Sequence, residues 1–413
     1  MRISPLLFFS YFFAVYLPTS ISVNVGFMRM TPYRIILIIF FLMNLQKLAS
    51  RFAYKKDNPA FYMGFFGIWA FLAMWINHDL SFALETGGIH FIELTAPFFI
   101  ASAYIKNVQQ LEKVVKTMMM AVAMLLTISL PETVTGFNWF RTITDAVTGG
   151  HHHHIDPRYG FDRAMATFDH PIVNGVVSSS VIGFVYFCSR WWMTIVPVVA
   201  TATSLSSGAI ASIMVQFMLI GWERVIKFRK RWKILFMILF SVYILAEMIS
   251  NRSGVMAILS VLVFSEGTAY NRYYIFIHGK DNVIDHPLFG IGYNDWVRPS
   301  YMGASVDNFW LLTTMRYGLP AFIAYVFAIY LICKQMFRYR VKDKKLTAYR
   351  RGWLCGLAGL CVSGATVHYW NAAYIYFNFY IGLGFAMLPL LKAAYMEEKA
   401  LAPPPTKRKY VRT

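Results

Sequence analysis

Residues 371–391 read NAAYIYFNFYIGLGFAMLPLL, a run of 21 positions without a charged side chain. Because an α-helix rises about 1.5 Å per residue, this run can cross the roughly 30 Å hydrocarbon core of a bilayer. Similar runs recur along the 413-residue chain, of which 57% is hydrophobic and only 14% is charged. So little polar sequence cannot cover a soluble protein of this size. The sequence therefore predicts an all-α fold, a polytopic bundle of membrane helices.

The apolar runs predict about twelve transmembrane helices. Their predicted bounds are 5–22, 34–49, 59–77, 87–105, 114–131, 171–189, 191–205, 208–222, 233–250, 307–333, 351–368 and 371–391. With both ends of the chain in the cytoplasm, the inner segments hold 29 of the 39 Lys and Arg residues. This placement satisfies the positive-inside rule. It also accounts for the net charge of +19 without a nucleic-acid partner, for which the sequence has no recognition fold.

The runs and loops divide the chain into six parts. These are transmembrane helices 1–5 at 1–130, a first long outer loop at 131–170, helices 6–9 at 171–250, a second long outer loop at 251–306, helices 10–12 at 307–391, and a basic cytoplasmic tail at 392–413. Within the second loop, residues 254–264 are apolar but too few to span a membrane. We expect an interfacial helix there.

Residues 191–222 allow two interpretations, one long tilted helix or two short helices. A single helix would place the six basic residues of 223–233 on the outer side. Ser204-Leu-Ser-Ser-Gly208 has the hydroxyls and the glycine that suit a tight turn. Two short helices that meet at this turn are therefore the favoured interpretation.

The outer segments are poor in lysine but retain arginine. Their ten basic residues are Arg29, Arg34, Arg141, Arg158, Arg163, Arg252, Arg272, Lys280, Arg298 and Arg316. A guanidinium group binds phosphate in a bidentate manner, whereas an ammonium group acts as a point charge. This composition favours an extracytoplasmic site for phosphate or diphosphate. The alternative is that these arginines lie at the membrane edge and pair with loop acids.

Four short motifs contain or flank the arginines that could carry chemistry. Arg163 lies in FDRAMATFDHP (161–171), directly before the sixth predicted span. Arg272 lies in YNRYY (270–274), upstream of DHPLFGIG (285–292), and SVDNFWL (305–311) then opens the tenth span. Arg316 falls about two turns inside that span, where an unpaired charge is costly.

The order of these motifs resembles the superfamily of O-antigen ligases and of O-antigen or exopolysaccharide polymerases. The resemblance covers about residues 160–325. It implies a metal-independent glycosyltransferase of the bacterial inner membrane with its active site facing the periplasm. In that family an undecaprenyl-diphosphate-linked glycan is the donor, a hydroxyl of the acceptor attacks the anomeric carbon, and no cofactor is needed.

The resemblance also implies roles for individual residues. Arg163 and Arg272 correspond to the groups that hold the diphosphate. Ligases carry a histidine where this chain has Asp307, which could act as a general base or could only orient Arg316. This departure favours a polymerase over a ligase. Further candidates for substrate binding are His170, Arg252, His286, Tyr293, Asn308 and Arg316.

Several of these candidates have a second interpretation. His170 and His286 both precede proline and could fix a turn instead of contacting substrate. Tyr293 could stack on a sugar or belong to an interfacial aromatic belt. The run His151–His154 suggests a metal, but adjacent histidines cannot all converge on one ion, and a solvated loop is the expected reading. No metal site is predicted.

Two other classes of function are compatible with a polytopic bundle. A flippase for lipid-linked oligosaccharides usually has ionisable groups near the midplane and repeated halves, and neither is evident here. A structural subunit of an export complex would need none of the arginines. The favoured partners are thus a lipid-linked donor and acceptor, the bilayer and a chain-length regulator protein.

Overall fold

The computed structural model describes residues 3–25, 28–149, 155–228, 230–249 and 266–401. It is an all-α bundle, as the sequence predicts, and it contains several apolar helices of membrane-spanning length. Its helices are α1 (Pro5–Val15), α2 (Pro32–Arg51), α3 (Pro59–Asn77), α4 (Leu80–Phe82), α5 (Gly88–Tyr104), α6 (Val108–Thr135), α7 (Trp139–Thr148), α8 (Pro171–Ser179), α9 (Ile182–Cys188), α10 (Ile195–Ala202), α11 (Ser207–Val225), α12 (Arg231–Ile249), α13 (Glu266–Asp285), α14 (Phe309–Arg338), α15 (Lys344–Gly364) and α16 (Asn371–Ala400). A π-helical stretch, Ala83–Gly87, joins α4 to α5, and a 3-10 turn, Trp191–Thr194, precedes α10.

Each predicted span coincides with helical structure in the described residues. Within the described part of the chain, seven segments are long and apolar enough to cross a membrane: Pro32–Arg51, Pro59–Asn77, Val108–Thr135, Pro171–Cys188, Ser207–Val225, Phe309–Arg338 and Asn371–Ala400. The first helix is shorter than predicted, because it ends at Val15 and a two-stranded hairpin follows, β1 (Val23–Val25) with β2 (Met28–Met30).

Helix α16 lies at the centre of the bundle, and its first twenty residues are almost all buried. It packs against α5, where the carbonyl of Phe98 occupies the space that a side chain at position 382 would need. Trp353 of α15 packs over Gly384 and donates a hydrogen bond to the carbonyl of Tyr380 (2.8 Å). Small residues thus let these helices approach closely, as in other membrane bundles.

Residues 191–222 form two helices and not one. Helix α10 ends at Ala202, the next four residues turn, and α11 begins at Ser207. Leu205 takes a left-handed conformation (φ 44°), which a continuous helix does not permit. Gly175 of α8 leaves room for Ser204 against it, so this turn is fixed in the bundle. The predicted break at Ser204–Gly208 is confirmed.

The two long loops predicted to face outward contain helices that the sequence does not predict. In the first, α7 exposes Trp139, Ile143 and Val147 along one face, which is the pattern of a helix lying at a membrane surface. In the second, α13 has twenty residues and packs on α14. The interfacial helix expected at 254–264 lies outside the described residues.

Candidate active site

Three outer arginines converge on the turn between α10 and α11. Arg158 donates to the carbonyl of Leu205 (Nη1–O 2.9 Å). Arg163 donates to the carbonyl of Ser204 (Nε–O 3.4 Å), and Arg272 donates to the hydroxyl of Ser207 (Nη2–Oγ 3.1 Å). We refer to Arg158, Arg163 and Arg272 together as the arginine cluster. The structure therefore brings Arg163 and Arg272, which are 109 positions apart in the sequence, to the same four-residue segment.

Local backbone structure positions the first two arginines. Residues 158 and 161 form an isolated antiparallel bridge whose N–O distances are 2.9 and 3.0 Å. Gly160 inside this turn has a φ of 77°, which glycine adopts at no steric cost. The amide of Ala164 donates to the carbonyl of Thr203 (3.0 Å). This hydrogen bond holds the backbone next to Arg163 against the α10–α11 turn.

Arg272 reaches the cluster from α13 and is buried, with 8% of its surface exposed. Only Nη2 has a hydrogen-bond acceptor, whereas its buried Nε and Nη1 atoms have none among the described residues. A buried donor without an acceptor costs roughly 1–3 kcal/mol, and more when the group is charged. This arrangement is expected at a site that an anion completes.

The cluster is electropositive and stays charged at neutral pH. Burial, with repulsion from Arg158, lowers the pKa of both Arg163 and Arg272 to about 10. Asp307 acts in the opposite direction on Arg272. Because about 10 is still far above 7, both guanidinium groups keep their protons. Three like charges in one partly buried place favour an anionic ligand.

His170 borders the cluster and is held in one tautomer. It precedes α8, and its Nδ1 accepts a hydrogen bond from the amide of Ile172 (3.1 Å). Burial, followed by repulsion from Arg163, lowers the pKa of His170 to about 4, so the ring is neutral at pH 7. Since Nδ1 is an acceptor, the proton is assigned to Nε2. His170 can therefore donate a hydrogen bond through Nε2, but it cannot take a proton there.

Asp307 is the carboxylate next to the cluster. It is partly buried, accepts a hydrogen bond from the hydroxyl of Ser305 (3.0 Å), and interacts electrostatically with Arg272 and His170. The neighbouring Asn308 has a structural contact, because its Oδ1 accepts from the amide of Leu311 (3.0 Å) at the start of α14. Of these two polar residues, Asp307 is the one placed to accept a proton.

A second feature, the polar cavity, has a volume of about 250 Å³. Charged, histidine and aromatic side chains line it, among them Arg34, Glu85, His90, Glu93, Tyr293, Arg316, His368 and Trp370. The guanidinium group of Arg316 lies over the ring of Tyr293, 4.2 Å from its centroid, whereas Arg34 pairs with Glu93 at 2.7 Å. The ring of Trp370 lies between His368 (5.8 Å) and His170 (5.3 Å) and connects the cavity to the cluster.

The glycine-rich motif at 285–292 has a structural role that explains its composition. Gly318 breaks α14 with a φ of 81°, and a side chain there would overlap the carbonyl oxygen of Leu288. The break leaves the backbone carbonyls of Met315 and Arg316 free to accept hydrogen bonds from outside the helix. The amide of Ile291 donates to the carbonyl of Met315 (2.7 Å), and the amide of residue 292 donates to the carbonyl of Arg316 (3.1 Å). This docking fixes the backbone of Arg316 beside the polar cavity.

The site residues predicted from the sequence do not all lie in one place. Arg163, Arg272, His170 and Asp307 lie together, whereas Arg316 and Tyr293 line the polar cavity. The side chain of His286 is exposed at the end of α13 and does not line that cavity. Arg252 and His151–His154 fall outside the described residues. In the part of the chain that is described, no group of three His, Cys, Asp or Glu side chains could hold a metal ion.

Three further members of this region were not predicted from the sequence. Arg158 is one of the outer arginines, but its motif gives no sign that it joins Arg163 and Arg272. Trp370 and His368 lie in the short segment between α15 and α16, where no motif marks them. Their place in this region depends on the tertiary fold. The amide of Phe309 donates to the carbonyl of Val367 (3.1 Å), and this contact holds the segment against the start of α14.

Comparison with protein families agrees with this geometry. Residues 192–326 match the family model described as O-antigen ligase. This stretch is similar to the O-antigen ligase family. It covers about a third of the chain, from the 3-10 turn before α10 to the first half of α14. A search of curated proteins finds no match to the chain.

The matched stretch contains most of the region described above. It includes the Ser204–Ser207 turn, Arg272, Asp307 and Arg316, whereas Arg158 and Arg163 precede it. The match confirms the resemblance expected from the sequence. Members of this family are glycosyltransferase-like enzymes, and the described residues of this chain include several helices long and apolar enough to cross a membrane.

Proposed function

We propose that this protein is a polysaccharide polymerase. It transfers a glycan from undecaprenyl diphosphate to a sugar hydroxyl of another lipid-linked repeat unit, at the periplasmic face of the bacterial inner membrane. The observation that supports this most directly is the arginine cluster, in which buried Arg272 has two nitrogens without an acceptor among the described residues. A diphosphate supplies the acceptor oxygens and the negative charge that such a site lacks.

The chemistry follows from the arrangement of the cluster. The bond between the anomeric carbon and the diphosphate oxygen breaks, and negative charge develops on the departing diphosphate. Arg163 and Arg272 stabilise that charge, which is electrostatic stabilisation of the transition state. The acceptor hydroxyl forms the new glycosidic bond, and Asp307 takes its proton. Since His170 carries its proton on Nε2, it orients an oxygen of the substrate instead of acting as a base.

The reaction needs a donor and an acceptor held together, which provides the orientation part of catalysis. The polar cavity lies beside the cluster and is lined by aromatic and hydrogen-bonding side chains, such as Tyr293 and Trp370. Aromatic rings of this kind stack on sugars. A chain-length regulator protein is the further partner proposed for a polymerase.

The assay uses purified protein in proteoliposomes that carry lipid-linked repeat units only in the outer leaflet. We expect the wild-type protein to make long-chain product, and Arg163→Ala and Arg272→Ala to make none while inserting normally. Arg29→Ala is the matched control, because this outer arginine contacts Ser22 and Thr19 in the hairpin region and not the cluster. Full polymer from either cluster variant would reject the proposal, and no elongation by the wild-type protein would leave a flippase as the better assignment.

A ligase is the second candidate, because the matching family model is described as O-antigen ligase. A ligase performs the same transfer but uses lipid A core as the acceptor. Asp307, in the position where ligases have histidine, favours the polymerase. Supplying both acceptors in one reaction separates the two, since a polymerase lengthens the lipid-linked chain and a ligase labels the lipid A core.

A further inference from the structure

At the opposite end of α11 from the arginine cluster lies a second, larger cavity. Helix α11 begins at Ser207, beside Arg272, and ends at Val225. Its 19 residues correspond to a length of about 28 Å, nearly the thickness of the hydrocarbon core. The second cavity has a volume of about 750 Å³, and we call it the basic cavity. The two sites therefore belong to opposite leaflets of the membrane.

The basic cavity has one charged end. Five basic residues line it, Lys227, Arg231, Arg340, Arg350 and Arg351, and the acid among its lining residues is Glu223. Glu223 pairs with Arg231 at 2.9 Å and with Arg351 at 3.3 Å. One carboxylate cannot neutralise five cations, so this end of the cavity carries a formal excess of positive charge.

The other end of the cavity is apolar. It is lined by Leu219 of α11, Ile329 and Cys333 of α14, and Leu354, Ala358 and Cys361 of α15. From Arg351 to Cys361 the axis of α15 rises about 15 Å, which is half of a bilayer core. The lining thus changes from cationic to apolar over the depth of one leaflet.

One end of α12 borders the cavity. Helix α12 is mostly apolar and most of its described side chains are exposed, whereas Leu235 is buried and Arg231 and Ala246 are partly buried. In a membrane, acyl chains surround such a helix. The first two residues of α12, Arg231 and Trp232, line the cavity. A lipid molecule next to this end of α12 therefore lies at the entrance of the cavity.

We infer that the basic cavity binds an anionic phospholipid of the inner leaflet. The phosphate of the headgroup lies among the arginines, and an acyl chain follows the apolar wall formed by α11, α14 and α15. Charge complementarity selects an anionic headgroup over a zwitterionic one, as in other basic pockets between membrane helices. The apolar depth selects a lipid over free phosphate. This site is separate from the donor site proposed above, so either proposal can fail without the other.

The test compares lipids on the purified full-length protein by native mass spectrometry. We expect dioleoyl phosphatidylglycerol to occupy the wild-type protein at least tenfold more tightly than dioleoyl phosphatidylcholine, and inorganic phosphate not to displace it. The triple variant Lys227→Gln, Arg340→Gln, Arg351→Gln should lose at least tenfold in affinity for the anionic lipid. These side chains lie at the rim of the cavity and leave the Arg231–Glu223 pair in place.

The matched control removes the same charge outside the cavity. Lys342→Gln, Lys344→Gln, Lys392→Gln changes three exposed lysines at the same end of the bundle and should alter the affinity less than twofold. Ala358→Phe fills the apolar end with every charge retained and should also weaken binding. Equal affinity of the two lipids for the wild-type protein, displacement by phosphate, or equal losses in both triple variants would overturn the inference. The first two measurements need no variant, so a folding defect cannot hide the result.

Discussion

Replacement of Arg272 by methionine should separate activity from stability. Arg272 is 8% exposed and makes one hydrogen bond, to Ser207, while two of its buried nitrogens have no acceptor among the described residues. Two unsatisfied donors cost roughly 2–6 kcal/mol together, whereas one hydrogen bond from a charged donor contributes about 1.5–3 kcal/mol. The arginine therefore brings little or no net stability to the unliganded protein.

The activity should change in the opposite sense. Loss of one preorganised donor to a developing negative charge lowers the turnover rate by about 10²–10³-fold, or roughly 3–4 kcal/mol in the barrier. Arg272→Met is therefore expected to keep or raise the apparent Tm of the detergent-solubilised protein and to lower polymer formation at least a hundredfold. Thermal unfolding and single-turnover transfer measured on the same preparation provide both numbers.

Arg141→Met is the matched control for this prediction. Arg141 is equally buried, at 7% exposed, but it pairs with the carboxylate of Asp169 at 3.1 Å. Its removal leaves the carboxylate of Asp169 with hydrogen bonds from Thr19 but without a cationic partner, which is destabilising. We expect a lower Tm for Arg141→Met. If Arg272→Met instead unfolds at a temperature as low as Arg141→Met, Arg272 is a structural arginine and the reasoning is refuted.

Three further predictions concern the proton acceptor, the break in α14 and the histidine at the cluster. Asp307→Asn should lower the transfer rate by about 10²–10⁴-fold, measured in single-turnover assays, because the amide cannot take a proton. Gly318→Ala should lower the unfolding temperature, since a left-handed backbone and the carbonyl of Leu288 both oppose a side chain there. The folded-state pKa of His170, about 4, is below its ordinary value of 6.5, so the unfolded chain binds more protons between these values. Stability should therefore fall as the pH decreases from about 6.5 to 4, and thermal scans of His170→Asn should show a smaller decrease.

Each of these predictions has a simple control. Asp307→Glu keeps a carboxylate and should recover part of the rate, and no difference between the two variants would exclude the role of a base. Gly303→Ala changes a glycine with open space around it and should leave the Tm unchanged. An identical pH dependence for His170→Asn and the wild-type protein would contradict the assignment of a buried neutral imidazole.

The membrane helices could be predicted from the sequence because their signal is local. A run such as 371–391 is apolar over its whole length, and no tertiary contact is needed to recognise it. The turn at Ser204–Gly208 was predictable for a similar reason, since its hydroxyls and glycine are adjacent in the sequence. Helices α7 and α13 were not, because polar residues interrupt both segments. The apolar face of α7 is recognisable only at helical spacing, and α13 has no marked apolar face.

The arginine cluster was only partly predictable. Its motifs drew attention to Arg163 and Arg272, but the contact with Arg158 depends on a bridge between residues 158 and 161 and on the position of α10. The sequence left two roles open for Asp307. In the structure the guanidinium group of Arg316 lies over the ring of Tyr293, whereas Asp307 interacts with Ser305 and Arg272. This separation depends on the break of α14 at Gly318, which the distance between these residues in the sequence does not reveal.

The two arms of the α10–α11 helical hairpin differ in length, and the arm that contains α10 is too short to span a membrane. The 3-10 turn and α10 together measure about 20 Å, some 10 Å less than the hydrocarbon core, and Trp191 and Trp192 mark their inner end. Such hydrophobic mismatch makes the surrounding lipid thinner or leaves the Ser204–Ser207 turn recessed below the outer surface. In both cases a ligand of the arginine cluster is reached from within the bilayer, so the isoprenoid tail of the donor proposed above can stay among the acyl chains while its diphosphate binds.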